Sequence, residues 1–465
     1  MSIRNLFCFL FLALAFSSLI EARTDDPEQR EPSADAEPHT VYAATAENGL
    51  RYTWVLPEDY DPEVPRNLTV ICHGTGLDYR WGHWNNKPGV FRPDDIVVSV
   101  DGPTPNGDSR LFTGEKKDAE AVRDFLHELR EAFSIDRAFL YGHSQGGFFV
   151  VYFAGEFPEE VAGVAAHASG AWNWSKKGKK TKEVAIAYMH GTLDPVVPYR
   201  QSSGSRDGYS KDGFEILHLR RLPRYNHWPN SVRANEVVGW CQGMSAHTPE
   251  EALDVAREIL RPKGHDDVQW QTVVGFSGAN DVLLRVVGQG PRPFEDVEPK
   301  TLRAAEKLLK AIDDHGAKHV AALKKHVSRK KGLELDDGPW LGHMLSLRED
   351  FRGVASVEAY FETIGFDKAL AGQRRAVDKI LEAWYSKKPP GAKYEAILEN
   401  LADAYLFEGF PPELAETMNE WHGVEDRYDL SKKVLKKWSD FEAWEASWND
   451  GLEEYNDLWK KWQGD

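Results

Sequence analysis

The chain is short of the residues from which several classes of protein are built. It has three cysteines in 465 residues, and Cys8 lies in an apolar run at the N-terminus. Cys72 and Cys241 are left for the folded part. They can form one disulfide at most, or stay as thiols, so a disulfide framework is excluded. Cationic excess is also missing: 57 Lys and Arg face 74 Asp and Glu, a formal charge of −17. That balance argues against nucleic acid or an anionic membrane surface as a partner. No apolar run approaches the roughly 20 residues of a membrane-spanning helix. There is no repeat, no basic patch and no glycine-rich phosphate loop, because GQGPRP at 288–293 is too short and too proline-rich to cradle a phosphate. His315, His319 and His326 fall on one face of an expected helix. No cysteine or carboxylate completes a metal set there, so surface or interface histidines are the favoured reading. No cofactor and no metal are expected.

What is present allows folded cores: 41% of residues are apolar and 12% aromatic. The length suggests two or three domains. Residues 1–22 read as an export signal, with Arg4 ahead of an apolar stretch at 6–16 and small residues Ser17, Ser18 and Ala22 near a cleavage point. An uncleaved anchor is the alternative. The cleaved chain is expected outside the cytoplasm, with no stable membrane insertion. Residues 23–40 are acidic, contain proline and have almost no large apolar side chains, which predicts a disordered leader.

From 41 to 245 apolar runs alternate with amphipathic stretches. Strands are predicted at 51–56, 68–72, 96–100, 138–141, 161–166, 184–189 and 214–219, with helices at 115–133 and 148–157. This order implies an α/β domain, a mostly parallel sheet with helices on both faces. Residues 246–465 read as a separate, mainly helical domain. A short hairpin is predicted at 268–287, and long helices at 301–329, 366–385, 394–407 and 432–462. The last carries an aromatic stripe through Trp438, Phe441, Trp448, Tyr455, Trp459 and Trp462. Core packing is the favoured role for that stripe, with a grip on sugar rings or a partner helix as the minority reading.

In parallel sheets ligands bind at the carboxyl ends of the strands, and four predicted strand ends carry chemistry. HGTG follows at 73–76, GHSQGG at 142–147, HGTLDPVVPY at 190–199, and RLPRYNHWPN at 221–230. Serine flanked by glycines at a strand-to-helix corner suits a sharp turn that presents a hydroxyl. Ser144, Asp194 and His227 then occur in the order serine, acid, histidine. The histidine would take the serine proton and return it to the leaving group, while the carboxylate fixes the imidazole tautomer. Glycines 74 and 76 let backbone N–H groups approach a developing oxyanion beside the N–H of Gln145. Singly, each feature has an ordinary explanation: a βα turn at Ser144, a turn residue before Pro195, a structural histidine. Together, at strand ends and in order, they predict a catalytic site.

These motifs resemble those of secreted esterases of the α/β-hydrolase superfamily, the group of polyhydroxybutyrate depolymerases and feruloyl esterases. The matching residues are His73-Gly74, Ile135-Asp136 ahead of Gly142–Gly147, the acid turn His190–Tyr199, and His227-Trp228-Pro229. The similarity covers about residues 41–242, less than half the chain. It implies the α/β-hydrolase fold, a Ser144–Asp194–His227 triad, and Thr75 as the second oxyanion donor. The chain departs from the group in its few cysteines and in Asn226, where glycine commonly precedes the histidine. The expected activity is hydrolysis of carboxylic esters, carbohydrate-linked or polymeric ones included, through an acyl-enzyme on Ser144. A serine peptidase on the same fold, and a binding protein on a hydrolase scaffold, are the alternatives. The oligomeric state is left open, and the helical half supplies no residue to the expected chemistry.

Overall fold

The computed structural model describes residues 27–85, 88–89, 91–171, 183–191, 194, 196–222, 227–229, 231–260, 275–326, 344 and 347–366. The export signal, the first residues of the leader and the helices expected beyond 366, with their aromatic stripe, lie outside these residues.

Apolar alternation builds the sheet. Its strands are β1 (Glu28–Gln29), β2 (Tyr42–Thr45), β3 (Arg51–Val55), β4 (Arg66–Cys72), β5 (Ile96–Val100), β8 (Ile135–His143), β9 (Gly163–His167), β10 (Ala185–Gly191) and β11 (Leu217–Leu222). They lie in the order β1-β2-β3-β5-β4-β8-β9-β10-β11, while β6 (Thr104–Asn106) and β7 (Ser109–Leu111) form a separate hairpin. The pairs from β5 through β11 are parallel; β3 runs antiparallel to both β2 and β5. Successive side chains leave a strand on opposite faces. Leu68, Val70, Leu140, Ile186 and Tyr188 therefore enter one core, and Ile71, Phe139, Tyr141, Ala187 and Met189 the other.

The first core is closed by α2 (Lys116–Ala132) through Val122, Phe125, Leu126 and Leu129, and by α3 (Gln145–Glu156) through Phe149, Val150 and Phe153. A short helix α1 (Trp81–Asn85) follows β4. Helix α4 (Arg200–Lys211) adds Tyr209 to the first core. On the opposite face α5 (Ser231–Ser245) lays Val237, Val238, Trp240, Cys241 and Met244 against the sheet. Outside it stand α6 (Pro249–Leu260), α7 (Phe276–Val286), α8 (Pro299–His326) and α9 (Ala355–Thr363). Their buried side chains belong to the same continuous core as those of α5. Cys72 and Cys241 are both free thiols, and they serve opposite faces of the sheet. Burial pushes both thiols up.

Four sequence expectations are corrected. Residues 27–40 do not behave as a disordered leader: β1 pairs with β2, Ala36 is buried, and the Arg30 carbonyl accepts the Trp54 indole N–H at 2.9 Å. The strand expected at 214–219 begins at Leu217, because Phe214 closes the end of α4, its N–H on the Tyr209 carbonyl and its ring edge-on to Tyr209. The expected hairpin at 268–287 is, where described, the helix α7, whose Val282, Leu283 and Val286 are fully buried. Packing also shows no boundary at residue 245. Arg220 of β11 is buried between Glu236 of α5 (3.0 Å) and Asp350, with which it also pairs. Arg352 donates to the Leu219 carbonyl at the sheet edge.

Among the described residues no helix is long and apolar enough to cross a membrane.

Candidate active site

The turn from β8 into α3 places Ser144 at its tip. Ser144 has φ 52° and ψ −115°, a region that an L-residue occupies only when its surroundings impose it. Those surroundings are visible. Its N–H donates to the His167 carbonyl at 2.9 Å and its own carbonyl accepts from Phe148 at 3.0 Å. Gly146 presses against the Cys72 backbone so closely that a Cβ there would overlap the Cys72 carbonyl. The chain can make this bend only with glycine at that position.

Ser144 Oγ lies 3.0 Å from His227 Nε2, and His227 Nδ1 lies 2.7 Å from Asp194 Oδ2. All three side chains are buried. The residues that the sequence predicts as a triad, 50 and 33 positions apart along the chain, are thus brought into one hydrogen-bonded line. Asp194 sits in the turn after β10, where Oδ1 accepts the N–H groups of Val196 and Val197, each at 2.8 Å. Burial alone would push its carboxyl up. Its interactions with His227 and His190, the hydrogen bonds from both rings among them, outweigh burial and hold it well below the usual carboxylate range.

The expected oxyanion donors flank this line. Gln145 is the first residue of α3, so its N–H has no acceptor within the helix and points from the positive end of the helix dipole. The HGTG turn comes alongside: a Cβ added at Gly74 would lie 3.3 Å from Ser144 Cβ. The Gly74 carbonyl is tied back by His73 Nδ1 at 2.8 Å. Thr75, the next residue, is exposed.

Sequence reasoning places His143 and His190 beside the site but assigns no role there to them or to His167. His143, His167 and His190 come from the C-terminal ends of three adjacent strands, with His143 and His167 in register. Their Nδ1 atoms lie 2.9 Å apart, so one ring donates and the other accepts. Burial, reinforced by the neighbouring His227, pushes both imidazoles well below the ordinary histidine range. His143 also stacks between Trp81 (5.3 Å) and Trp228 (5.8 Å) and lies 4.9 Å from the His227 ring. Trp228 is 44% exposed, one of two large apolar side chains so exposed among the described residues. The readable signal was a histidine closing successive strands, a pattern that single-motif inspection passes over. Away from this site, His315 and His319 meet through Nε2 at 3.0 Å beside Phe276 and Phe351. Among the described residues no group of three or more His, Cys, Asp or Glu could hold a metal.

The strand order and strand-end site are those of the α/β-hydrolase fold, and a sequence profile for that fold matches residues 97–212. A bifunctional acetylxylan esterase/xylanase of Neocallimastix patriciarum is 29% identical over 187 residues, 39% of this chain and 26% of that protein. The chain therefore spans about a quarter of the length of this relative. Among solved structures, a feruloyl esterase module of Clostridium thermocellum is similar over 46% of this chain and 94% of its own, at 16% identity and TM-score 0.34. A carboxylesterase of Mesorhizobium loti matches over 44% and 99%, at 18% identity and TM-score 0.37.

Proposed function

We propose that the protein is an exported serine esterase that cleaves carboxylic esters through an acyl-enzyme on Ser144. The observation that carries the reading is the unbroken line from Ser144 Oγ through His227 to Asp194, anchored on a strained turn. His227 Nε2 accepts the hydroxyl proton as Ser144 attacks the ester carbonyl, and passes it to the departing alcohol. Water then repeats the sequence on the acyl-enzyme. The imidazolium formed at His227 is stabilised by Asp194, and the carbonyl oxygen takes its charge to the N–H groups of Gln145 and Thr75. This mechanism needs neither cofactor nor metal. The acetylxylan esterase likeness favours esters over amides, and the export signal is consistent with a substrate met outside the cytoplasm.

The half-exposed indole of Trp228 narrows the substrate. It stands beside His227 at 6.5 Å between ring centres and offers a flat apolar surface where the leaving group departs. Such a surface favours an ester bearing a sugar or aryl ring over a short aliphatic one.

A fluorophosphonate probe tests the assignment. It should label Ser144 in the full chain. Labelling and hydrolysis of aryl acetates should disappear in Ser144→Ala and fall at least about 10⁴-fold in His227→Ala. Strong labelling retained in His227→Ala would show that another group is the base.

A further inference from the structure

His190 is buried at the end of β10, and the triad as described leaves it without a role. Its hydrogen bonds restrict its protonation. Ser202 Oγ, on α4, donates its single proton to the Ser169 carbonyl at 2.6 Å. The same Oγ lies 2.7 Å from His190 Nδ1, so at that contact it can only accept, and Nδ1 must carry a proton. On the other side of the ring, Nε2 faces the Val197 carbonyl at 2.8 Å and Asp194 Oδ2 at 3.3 Å, both acceptors. Nε2 must therefore carry a proton as well. Turning the Ser202 hydroxyl toward Nδ1 instead would leave two oxygens 2.6 Å apart with no proton between them.

We infer that His190 is held as an imidazolium sharing Asp194 Oδ2 with His227, a positioning residue that fixes the acid of the triad and keeps His227 free of a proton into mildly acidic solution. The inference rests on the esterase reading above for its kinetic consequence, though not for the protonation state itself. Asp194 then has every acceptor position used: two backbone N–H groups on Oδ1 and two imidazoles on Oδ2. The carboxylate cannot rotate away from His227 without breaking one of these bonds. Its negative charge is also divided. A proton arriving at His227 meets a carboxylate already partnered by a cation, so protonating the base is harder than beside an unshared aspartate. The other groups facing His190 do not reverse this. His167, on the neighbouring strand, is kept neutral by burial. Arg221, in register with His190 on β11, lies over the Tyr199 ring, which stands edge-on to His190. Arg221 adds positive charge, which opposes a proton on His190 as well as on His227; at His190 the acceptors facing both ring nitrogens offset it.

The test uses the full chain with ¹⁵N-labelled histidine. The His190 signals are assigned by their loss in His190→Gln. At pH 8 they should show protons on both ring nitrogens, and Ser202→Ala, which removes the Nδ1 acceptor, should return a singly protonated ring. A singly protonated His190 in the unaltered protein overturns the inference. The kinetic arm follows kcat/KM for an aryl acetate against pH. His190→Gln keeps a donor toward Asp194 but removes the charge, so the acid limb should move to higher pH. Ser202→Ala should move it the same way, which keeps the test open if His190→Gln does not fold. An acid limb that stays in place in a folded variant overturns the inference. Fluorophosphonate labelling of Ser144 separates the two readings: labelling with an unmoved limb sinks only the role of His190, whereas no labelling in the unaltered protein sinks the esterase.

Discussion

The two faces of the sheet are covered differently. On one face α2, α3 and α4 share a single core, and α3 starts at Ser144. On the other, α5 is only the first layer, and α6, α7, α8 and α9 build outward from it. The first face delivers chemistry: a strained turn, closely approached backbone and clustered histidines. The second delivers mass, largely apolar, with buried polar groups such as that of Arg220, Glu236, Arg233 and Asp350 set into it. The difference teaches that catalytic independence and structural independence are separate matters. All the proposed catalytic residues precede residue 245, yet the core that supports the sheet does not stop there.

The largest expected effect comes from removing the thick side altogether. A chain ending after Ser245 exposes the outer surface of α5 and loses Asp350, the partner of Arg220. It should lose cooperative unfolding and associate through the uncovered apolar surface. A monodisperse truncation with a cooperative transition and full aryl esterase turnover would break the comparison. A smaller effect sharpens it. Arg220→Ala leaves Glu236 and Asp350 buried with Arg233 but not Arg220 as counter-charge, so the unfolding free energy should fall by about 3 kcal/mol, the low end of the loss for a broken buried pair. Because Arg220 touches nothing in the catalytic line, kcat of the folded fraction should hold. A denaturant titration paired with activity measurements checks both.

The smallest effect is common to both faces. Burial holds His83 and His315 down to about 4, and His143 and His167 lie well below the ordinary range. The unfolded chain binds protons on these rings near pH 6.5 while the native state does not, so stability rises with pH across that interval. It is fully present above about 6.5 and is lost as pH falls toward 4. His83 alone should contribute about 2 kcal/mol between pH 7 and 4.5. Urea midpoints at those two pH values measure it, and a His83→Gln variant should show a shallower loss.

Much of the active end was legible because its signals are local. Glycine at 142, 146 and 147 marks a turn that only small residues can make, and the acid turn and His-Trp-Pro segment each sit after an apolar run. The reading failed where a residue's role is set by distant partners. His143 and His190 fall in strand-end motifs and His167 just past a predicted strand, and nothing local tells that two share a proton and the third faces acceptors on both sides. Phe214 reads as strand because it is apolar and aromatic, but the preceding Gly213 (φ 86°) ends α4 and spends Phe214 on closing it. Val282, Leu283 and Val286 suggested β-structure by composition, whereas their 3.6-residue spacing places them on one face of α7. The change in composition near 245 was real. It marked a change in layer, from sheet and first cover to outer helices, and was mistaken for the end of a core.

Among the described residues the sheet ends at β11, a six-residue strand paired on one side only. An open strand of that length is a template on which a second molecule's strand can add. Here the Leu219 carbonyl is already taken by Arg352, whose other nitrogen lies 3.0 Å from His218 Nδ1. An incoming strand would have to displace a bound guanidinium, and a backbone amide offers no charge in exchange. Arg352 thus blunts this edge among the described residues, with a charge where a second strand would need a free carbonyl.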